Sequence, residues 1–238
     1  MATEETQTLV NSSNISDIDF KLQESSVNKY EQNLLENPQF LRYHEKYEAY
    51  RKKNHLNEHL IKENIWPNLT GHTLAGPDKI NYRSDSYYFI DEKYWSYGDI
   101  VVDEGEKITD NYSLTFFQLG NKLSGHSGIV HGGLLATLLD ELTCRLAFQN
   151  FESKKGVTAN LNINYKKPTY TDNYVLIKCE LLKKTGRKCW VKGSVFKFDL
   201  EKNLPIEEAE SKENLLTECE VLVIEPKWVE DLKNHKQH

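Results

Sequence analysis

The chain has 238 residues, of which 36 are acidic and 30 are Lys or Arg, so its net charge is −6 at pH 7. That acidic balance argues against nucleic acid as a main partner. Its four widely spaced cysteines indicate neither a disulfide framework nor a zinc site, and no apolar run approaches the roughly 20 residues of a membrane span.

The first 30 residues are almost entirely polar, and we expect residues 1–30 to form a disordered tail. They contain no arginine and no continuous apolar segment, so they match neither a secretory signal nor a transit peptide. The chain is therefore expected to be soluble and intracellular.

Residues 31–110 are predicted to form a helical arm followed by an irregular, aromatic-rich segment. Up to about residue 65 the sequence is helical in character, and Pro38 is expected to open the longer helix, where its missing N–H costs nothing. The apolar stripe of this arm is broken, which indicates packing on a domain or a partner. Residues 66–110 are rich in Gly, Pro and Tyr, which indicates a loop layer over a core with room for one short strand.

Regular structure is predicted over residues 111–226, followed by a C-terminal tail at 227–238. The pattern indicates a strand over 111–119, a long helix over 133–148 and an alternating strand over 156–165. A hairpin over 174–198 and a last strand over 215–226 follow, separated by an acidic surface loop. Several strands clustered after one helix predict an α+β domain, with the helix lying against an antiparallel sheet.

The long helix carries an aspartate among small residues. On a wheel of about 100° per residue, one face collects Leu135, Leu138, Leu139, Leu142 and Leu146. The opposite face collects Gly133, Ala136, Thr137, Asp140, Thr143, Cys144 and Ala147. Such a face serves either the close approach of another backbone or a ligand channel with a carboxylate in its wall. Glu141 lies to one flank and is expected to pair with Arg145 at i,i+4.

The start of this helix favours the ligand interpretation. His131-Gly132-Gly133 places glycines at the first turn, where backbone N–H groups have no partners within the helix and can bind a carbonyl or oxyanion. Asp140 lies roughly 10 Å further along the helix axis, too far to act on the same atom. A second, antiparallel copy of the helix would bring the two together, so a dimer with composite sites is predicted.

The stretches "VHGGLLATLLDE" and "GVTANLNINYKKP" together resemble the hotdog-fold acyl-CoA thioesterases of the PaaI-like branch, which includes the Them-type enzymes. The resemblance covers about residues 112–225. It implies a hotdog fold, in which the sheet wraps a central helix, and a homodimer, with pairing of two dimers into a homotetramer as a further option. It also implies hydrolysis of an acyl-CoA substrate and a place in fatty-acid metabolism.

Four catalytic roles follow from the resemblance. Asp140 matches the family's carboxylate, acting as general base or nucleophile, and Gly132 matches the amide that polarises the thioester carbonyl. Thr158 matches the residue that orients the attacking water from the partner chain. His131 matches the motif histidine, which helps to place the substrate and the loop, although a purely structural role for it is also plausible.

Further residues are candidates for substrate contacts. They are Gly133, which could assist Gly132, Ala136 and Thr137 on the small-residue face, and His126 in the loop before the motif. Lys166, Lys167, Lys183, Lys184, Arg187 and Lys188 form a basic cluster, for which solubility is favoured over a contact with the CoA phosphates.

The expected reaction needs no cofactor and no metal. A dehydratase of the same fold is disfavoured by the order H-G-G…D, whereas a non-catalytic hotdog protein that binds acyl chains or serves in an assembly is the alternative. The absence of a recognisable transit signal favours the cytoplasm, while mitochondria are a possible location because members of the family often serve there.

Overall fold

The structure is a computed structural model that describes residues 28–54, 69–91, 98–101 and 111–228. The predicted tail at 1–30 lies almost wholly outside these residues, as does most of the predicted tail at 227–238. Among the described residues the chain forms four α-helices and ten β-strands, with a short π-helical turn at Leu69–Thr73 and a 3-10 turn at Asn121–Leu123.

The helices are α1 (Lys29–Leu35), α2 (Pro38–Lys53), α3 (Gly132–Gln149) and α4 (Ile206–Ala209). The strands are β1 (Ile80–Arg83), β2 (Tyr87–Ile90), β3 (Ile100–Val101), β4 (Asn111–Leu119), β5 (Ser124–His126), β6 (Ile129–Val130), β7 (Val157–Tyr165), β8 (Asn173–Thr185), β9 (Lys188–Phe198) and β10 (Leu215–Ile224). The long helix and the strands predicted after residue 110 are confirmed to within a few residues at each end.

The start of α2 follows from two neighbouring residues. The Asn37 side chain accepts hydrogen bonds from the N–H groups of Gln39 and Phe40, which have no partners within the helix. Pro38 occupies the first helical position, where no N–H is needed. The predicted opening of this helix at Pro38 is confirmed.

One large antiparallel sheet organises the domain. Its main path has the order β1-β4-β8-β9-β10-β7, with β2 also paired to β4 and β3 to β8, which makes eight strands among the described residues. The segment 66–110, predicted to be irregular with one short strand, thus supplies three strands to this sheet. Each has only two to four residues and therefore shows too little alternation to be recognised from sequence. The acidic segment predicted as a loop contains the four-residue helix α4.

The sheet is covered on both faces. On one face, α3 packs against β7, β8, β9 and β10, and its leucine stripe is buried between helix and sheet. On the other face, the arm made of α1 and α2 covers a second apolar cluster, in which Phe40 and Tyr43 contact Phe116 of β4. The arm predicted to pack on a domain does so on the outer face of its own sheet.

Candidate functional site

The first turn of α3 leaves one of its two glycine amides free. The ring of His131, the N-cap residue, accepts a hydrogen bond at Nδ1 from the N–H of Gly133 over 2.8 Å. The amide of Gly133, expected to assist in binding a carbonyl, is therefore already occupied. The N–H of Gly132 has no hydrogen-bond acceptor among the residues that the structure describes. The hydroxyl of Tyr165 donates to the carbonyl oxygen of Gly132 over 2.9 Å and fixes this turn from the side of β7.

A cleft of about 500 Å³ opens beside this free amide. Its walls include the β5–β6 hairpin, the start of α3 and the end of β7. The lining residues are Gly125, His126, Ile129, Val130, His131, Gly132, Leu135, Tyr165, Lys166, Lys167, Pro168 and Thr169. Three of the predicted site residues, His126, His131 and Gly132, meet there. Gly133, Ala136, Thr137, Asp140 and Thr158 are not part of its wall.

Asp140 is held in a separate place, two turns along α3. The hydroxyl of Thr158, at the start of β7, donates to Asp140 Oδ1 over 2.6 Å, and the Sγ of Cys144 lies 2.9 Å from the same hydroxyl oxygen. Asp140 and Thr158 are both half-buried, so solvent or a ligand can reach them. Thr158 was expected to act from the partner chain, but here it contacts Asp140 of its own chain, and both lie away from Gly132 of that chain.

The small-residue face of α3 is divided between an open half and a packed half. Its first half is partly open, since Ala136, Thr137 and Asp140 are half-exposed. Its second half lies under the sheet, where Thr143 is fully buried. A Cβ added at Gly193 of β9 would lie 3.1 Å from Thr143 and 2.7 Å from Leu139, so this glycine permits the close approach of strand and helix.

Glu141, next to Asp140, has entirely different partners. Its carboxylate accepts from Arg145 over 2.7 Å and from Arg83 over 3.0 Å, and also from the hydroxyl of Thr70. Burial by itself would raise the pKa of Glu141, but the Thr70 hydrogen bond and the two guanidinium charges outweigh it and lower that pKa. The predicted pair with Arg145 is confirmed, and Glu141 belongs to a structural ion network.

The predicted basic cluster is divided by the fold. Lys166 and Lys167 lie at the cleft, where Lys166 pairs with Glu218 over 2.8 Å and Lys167 donates to the carbonyl of Glu213. Lys184, by contrast, is buried and donates to the carbonyl of Gly98. Only the first two lysines are placed to meet a ligand in the cleft.

Two other kinds of site are not found in the part of the chain that the structure describes. Within residues 28–54, 69–91, 98–101 and 111–228, no three His, Cys, Asp or Glu side chains are grouped closely enough to hold a metal ion. No helix in that part of the chain is long and apolar enough to cross a membrane.

Sequence reasoning missed two residues that the structure places in contact with the candidate site. Tyr165 closes the alternating pattern of β7, but its contact with Gly132 depends on how that strand lies against α3. Cys144 stands one turn after Asp140, and only the fold shows that its thiol meets Thr158.

The chain is similar to known proteins over part of its length. Residues 127–202 match the model of the thioesterase superfamily. A mitochondrial protein of Candida albicans, functionally uncharacterised, is 32% identical over 156 residues, covering 65% of this chain and 58% of that protein. The mouse acyl-coenzyme A thioesterase THEM4 is 39% identical over 87 residues, covering 37% of this chain and 36% of that protein. The MIOREX complex component 3 of Saccharomyces cerevisiae is 38% identical over 85 residues, covering 36% of this chain and 32% of that protein.

The chain thus spans between about a third and three fifths of the length of these relatives. The resemblance to Them-type proteins seen in the motifs is confirmed, and the antiparallel sheet with its central helix is the expected hotdog fold. The name of the Candida protein points to mitochondria, so the preference for a cytoplasmic location is not supported.

Proposed function

We propose that the chain hydrolyses an acyl-CoA thioester to a free acid and CoA, a proposal supported by the match of residues 127–202 to the thioesterase superfamily and by the site geometry. The observation that carries the proposal is the hydrogen bond of 2.6 Å by which Thr158 holds the half-exposed carboxylate of Asp140. A carboxylate oriented in this way can take a proton from water, or attack the thioester carbonyl itself.

The carbonyl to be attacked needs a group that accepts its developing negative charge. The free N–H of Gly132 is suited to this role because it lies at the positive end of α3 and beside the cleft. His131 supports it indirectly, since capping Gly133 fixes the geometry of the turn. In the hydrolytic route, Asp140 accepts the proton of the attacking water and passes it to the departing CoA thiolate.

These two halves of the site require two chains. Gly132 and Asp140 of one chain are separated by roughly 12 Å along α3. The edge strand β7 offers a way to bring in a second chain, since among the described residues it is hydrogen-bonded to β10 only. Val157 and Tyr165 on this strand are 38% and 52% exposed, so the edge presents apolar surface that a second chain could cover. A homodimer formed along β7 would cover them and set the Asp140–Thr158 pair of one chain against Gly132 of the other.

The cleft suggests where the CoA part of the substrate lies. Lys166 and Lys167 stand at its rim, and His126 lines it, so they are suited to contact phosphate groups and the linker that carries the thioester. Both lysines have protein partners that a phosphate would replace in part. For Lys183, Arg187 and Lys188 the solubility role favoured from sequence stays the prediction, whereas Lys184 is buried.

The test is thiol release from a panel of acyl-CoA substrates by the purified full-length protein. We expect Asp140→Asn to lower kcat by roughly 10² to 10⁴, the range that general-base catalysis contributes. The matched control is Glu152→Gln, the same change at an exposed acid just beyond α3, which should leave kcat unaltered. Equal and negligible thiol release by the wild type and the Asp140→Asn variant would reject the enzymatic proposal.

A second candidate is a non-catalytic role in an assembly. It is favoured by the similarity to the yeast protein named as a component of the MIOREX complex. If the wild type releases no thiol from any substrate but retains acyl-CoA binding, this second candidate replaces the first. From the Candida relative we also propose a mitochondrial location, which fractionation of cells expressing the full-length protein would check.

A further inference from the structure

The carboxylate of Asp140 is the end of a chain of three side chains. Cys144 Sγ lies 2.9 Å from Thr158 Oγ1, and Thr158 Oγ1 lies 2.6 Å from Asp140 Oδ1. Asp140 and Cys144 are one turn apart on α3, and Thr158 reaches them from β7. The hydroxyl of Thr158 therefore has two partners on the same helix face.

The number of protons decides the direction of both hydrogen bonds. A threonine hydroxyl has one proton to donate, and an ionised carboxylate can only accept. The Thr158 proton must therefore point to Asp140. Its oxygen then faces Cys144 with a lone pair, so the thiol of Cys144 is the donor in the other contact.

We propose that Cys144 is a positioning residue, whose S–H group holds the hydroxyl of Thr158 in the orientation that serves Asp140. This role rests on the proposed thioesterase function. Cys144 does not touch the reacting atoms; it acts through Thr158. A donor at this position prevents the hydroxyl from turning toward another acceptor, and it makes the hydroxyl a stronger donor, because hydrogen bonds in a chain polarise one another.

The surroundings keep the thiol in the form that can donate. Burial raises the pKa of Cys144 to about 11, a trend that the Thr158 hydrogen bond opposes and the charges of Asp140 and Glu141 reinforce. Cys219 of β10 and Cys179 of β8 are also buried, and burial raises the pKa of each of these thiols. The thiol of Cys144 is thus protonated at neutral pH.

The kinetic test compares three variants of the full-length protein. Cys144→Ala removes the donor, and we expect kcat to fall by about 3- to 10-fold with KM unchanged, the effect of one hydrogen bond. The acid limb of the pH profile of kcat should move to higher pH, since the ionised form of Asp140 loses part of its support. Cys144→Ser restores a donor, so it should recover most of the lost kcat and bring the acid limb of the pH profile back to its wild-type position. Cys189→Ala is the matched control, because Cys189 is also buried and no hydrogen bond joins it to Asp140 or Thr158.

A spectroscopic measurement tests the contact without reference to activity. The S–H stretching band of a thiol shifts to lower frequency when the thiol donates a hydrogen bond. In the Thr158→Val variant the Cys144 band, identified by its loss in Cys144→Ala, should move to higher frequency. A band that does not respond to Thr158→Val would overturn the assignment of the thiol as donor.

The outcomes separate this inference from the proposed function. One combination of results would reject the role of Cys144 alone. In it, the wild type is active, Asp140→Asn is inactive, and Cys144→Ala matches Cys189→Ala in kcat and pH profile. Failure of Cys144→Ser to recover kcat would also reject it. If the wild type releases no thiol, the proposed function fails, and the catalytic use of the contact fails with it.

Discussion

At the scale of single residues, two adjacent carboxylates on α3 are held by opposite kinds of partner. Asp140 accepts from the neutral hydroxyl of Thr158 and stays half-exposed. Glu141 is bound by two guanidinium groups, those of Arg83 and Arg145, whose side chains are only 8% and 15% exposed. A carboxylate already neutralised by two cations is a poor base, whereas one held by a single hydroxyl keeps its capacity to accept a proton. The division of roles between these neighbours follows from their partners.

Glu141 provides a prediction on the pH dependence of stability. Because the folded state lowers its pKa below the ordinary value of 4.5, Glu141 contributes stability that is fully present above about pH 4.5 and is lost as the pH falls through the folded-state pKa. We expect Glu141→Gln to lower the free energy of unfolding by about 2 kcal/mol at pH 7, the loss of hydrogen bonds between charged groups.

That difference between variant and wild type should shrink below pH 4.5, where the wild-type carboxylate is itself protonated in the unfolded and then in the folded state. Urea titrations at a series of pH values measure it, with Glu152→Gln as the exposed control. A destabilisation that stays the same from pH 7 down to pH 3 would contradict the ionic account of this network.

At the scale of the elements, the arm acts as a third layer on the sheet. Phe40 of α2 meets Phe116 of β4 at 4.9 Å between ring centroids, and Phe116 meets Phe198 of β9 at 5.0 Å. These rings bury the outer face of strands whose inner face packs on α3. The arm therefore supports the sheet from the side opposite to the candidate site.

The arm yields a prediction that separates stability from activity. Phe40→Ala should lower the free energy of unfolding by about 3 to 5 kcal/mol, as expected when a buried phenylalanine is truncated. The kcat of the molecules that stay folded should be unchanged, because the candidate site lies beyond the sheet. Leu35→Ala, on the same arm but 48% exposed, is the control and should change stability by less than about 0.5 kcal/mol. A loss of kcat in folded Phe40→Ala would instead tie the arm to the site.

The long elements could be predicted from sequence because their periodicity is strong. The leucine stripe of α3 and the alternation of β7 each extend over at least nine residues, so the type of each element is apparent from sequence, as is the buried face of α3. The strands β1, β2 and β3 are too short for that, and their pairing with β4 and β8 is decided by tertiary contacts. The burial of β7 also could not be predicted, since Val157 and Ala159 are exposed although the alternation places them on its apolar face.

The candidate site was predictable in its residues but not in its hydrogen bonds. The position of Asp140 among small side chains follows from the helix wheel alone. Which glycine amide is free depends on the ring orientation of His131, and the contact of Thr158 with both Asp140 and Cys144 depends on how β7 lies across α3. Such distances are set by packing between elements that are distant in sequence.

At the scale of the whole molecule, the proposed reaction requires two chains joined along β7. This yields a prediction for Ala159, an exposed residue of that strand. Ala159→Glu would place an unpaired charge in the proposed interface, so the variant should be monomeric in size-exclusion chromatography with light scattering. Thiol release should fall by about two orders of magnitude, because Asp140 would lose the Gly132 amide of the other chain.

The matched control for this variant is Leu35→Glu, which introduces the same charge at an exposed apolar residue of the arm. It should change neither the size of the particle nor the rate of thiol release. A monomeric Ala159→Glu variant with full activity would mean that one chain contains a complete site.

The strand order has a consequence for the way in which the protein is made. β7 pairs with β10, and β10 lies between β9 and β7, although β10 is the last strand of the sheet to be synthesised. On the ribosome, β4, β8 and β9 can pair as soon as they emerge, whereas β7 has no neighbour until β10 arrives. Thr158 therefore reaches its final place late, and the edge proposed for a second chain is completed only once translation has passed residue 224. A nascent chain can fold most of its core, but the proposed dimerisation and catalysis would have to wait until β10 is inserted.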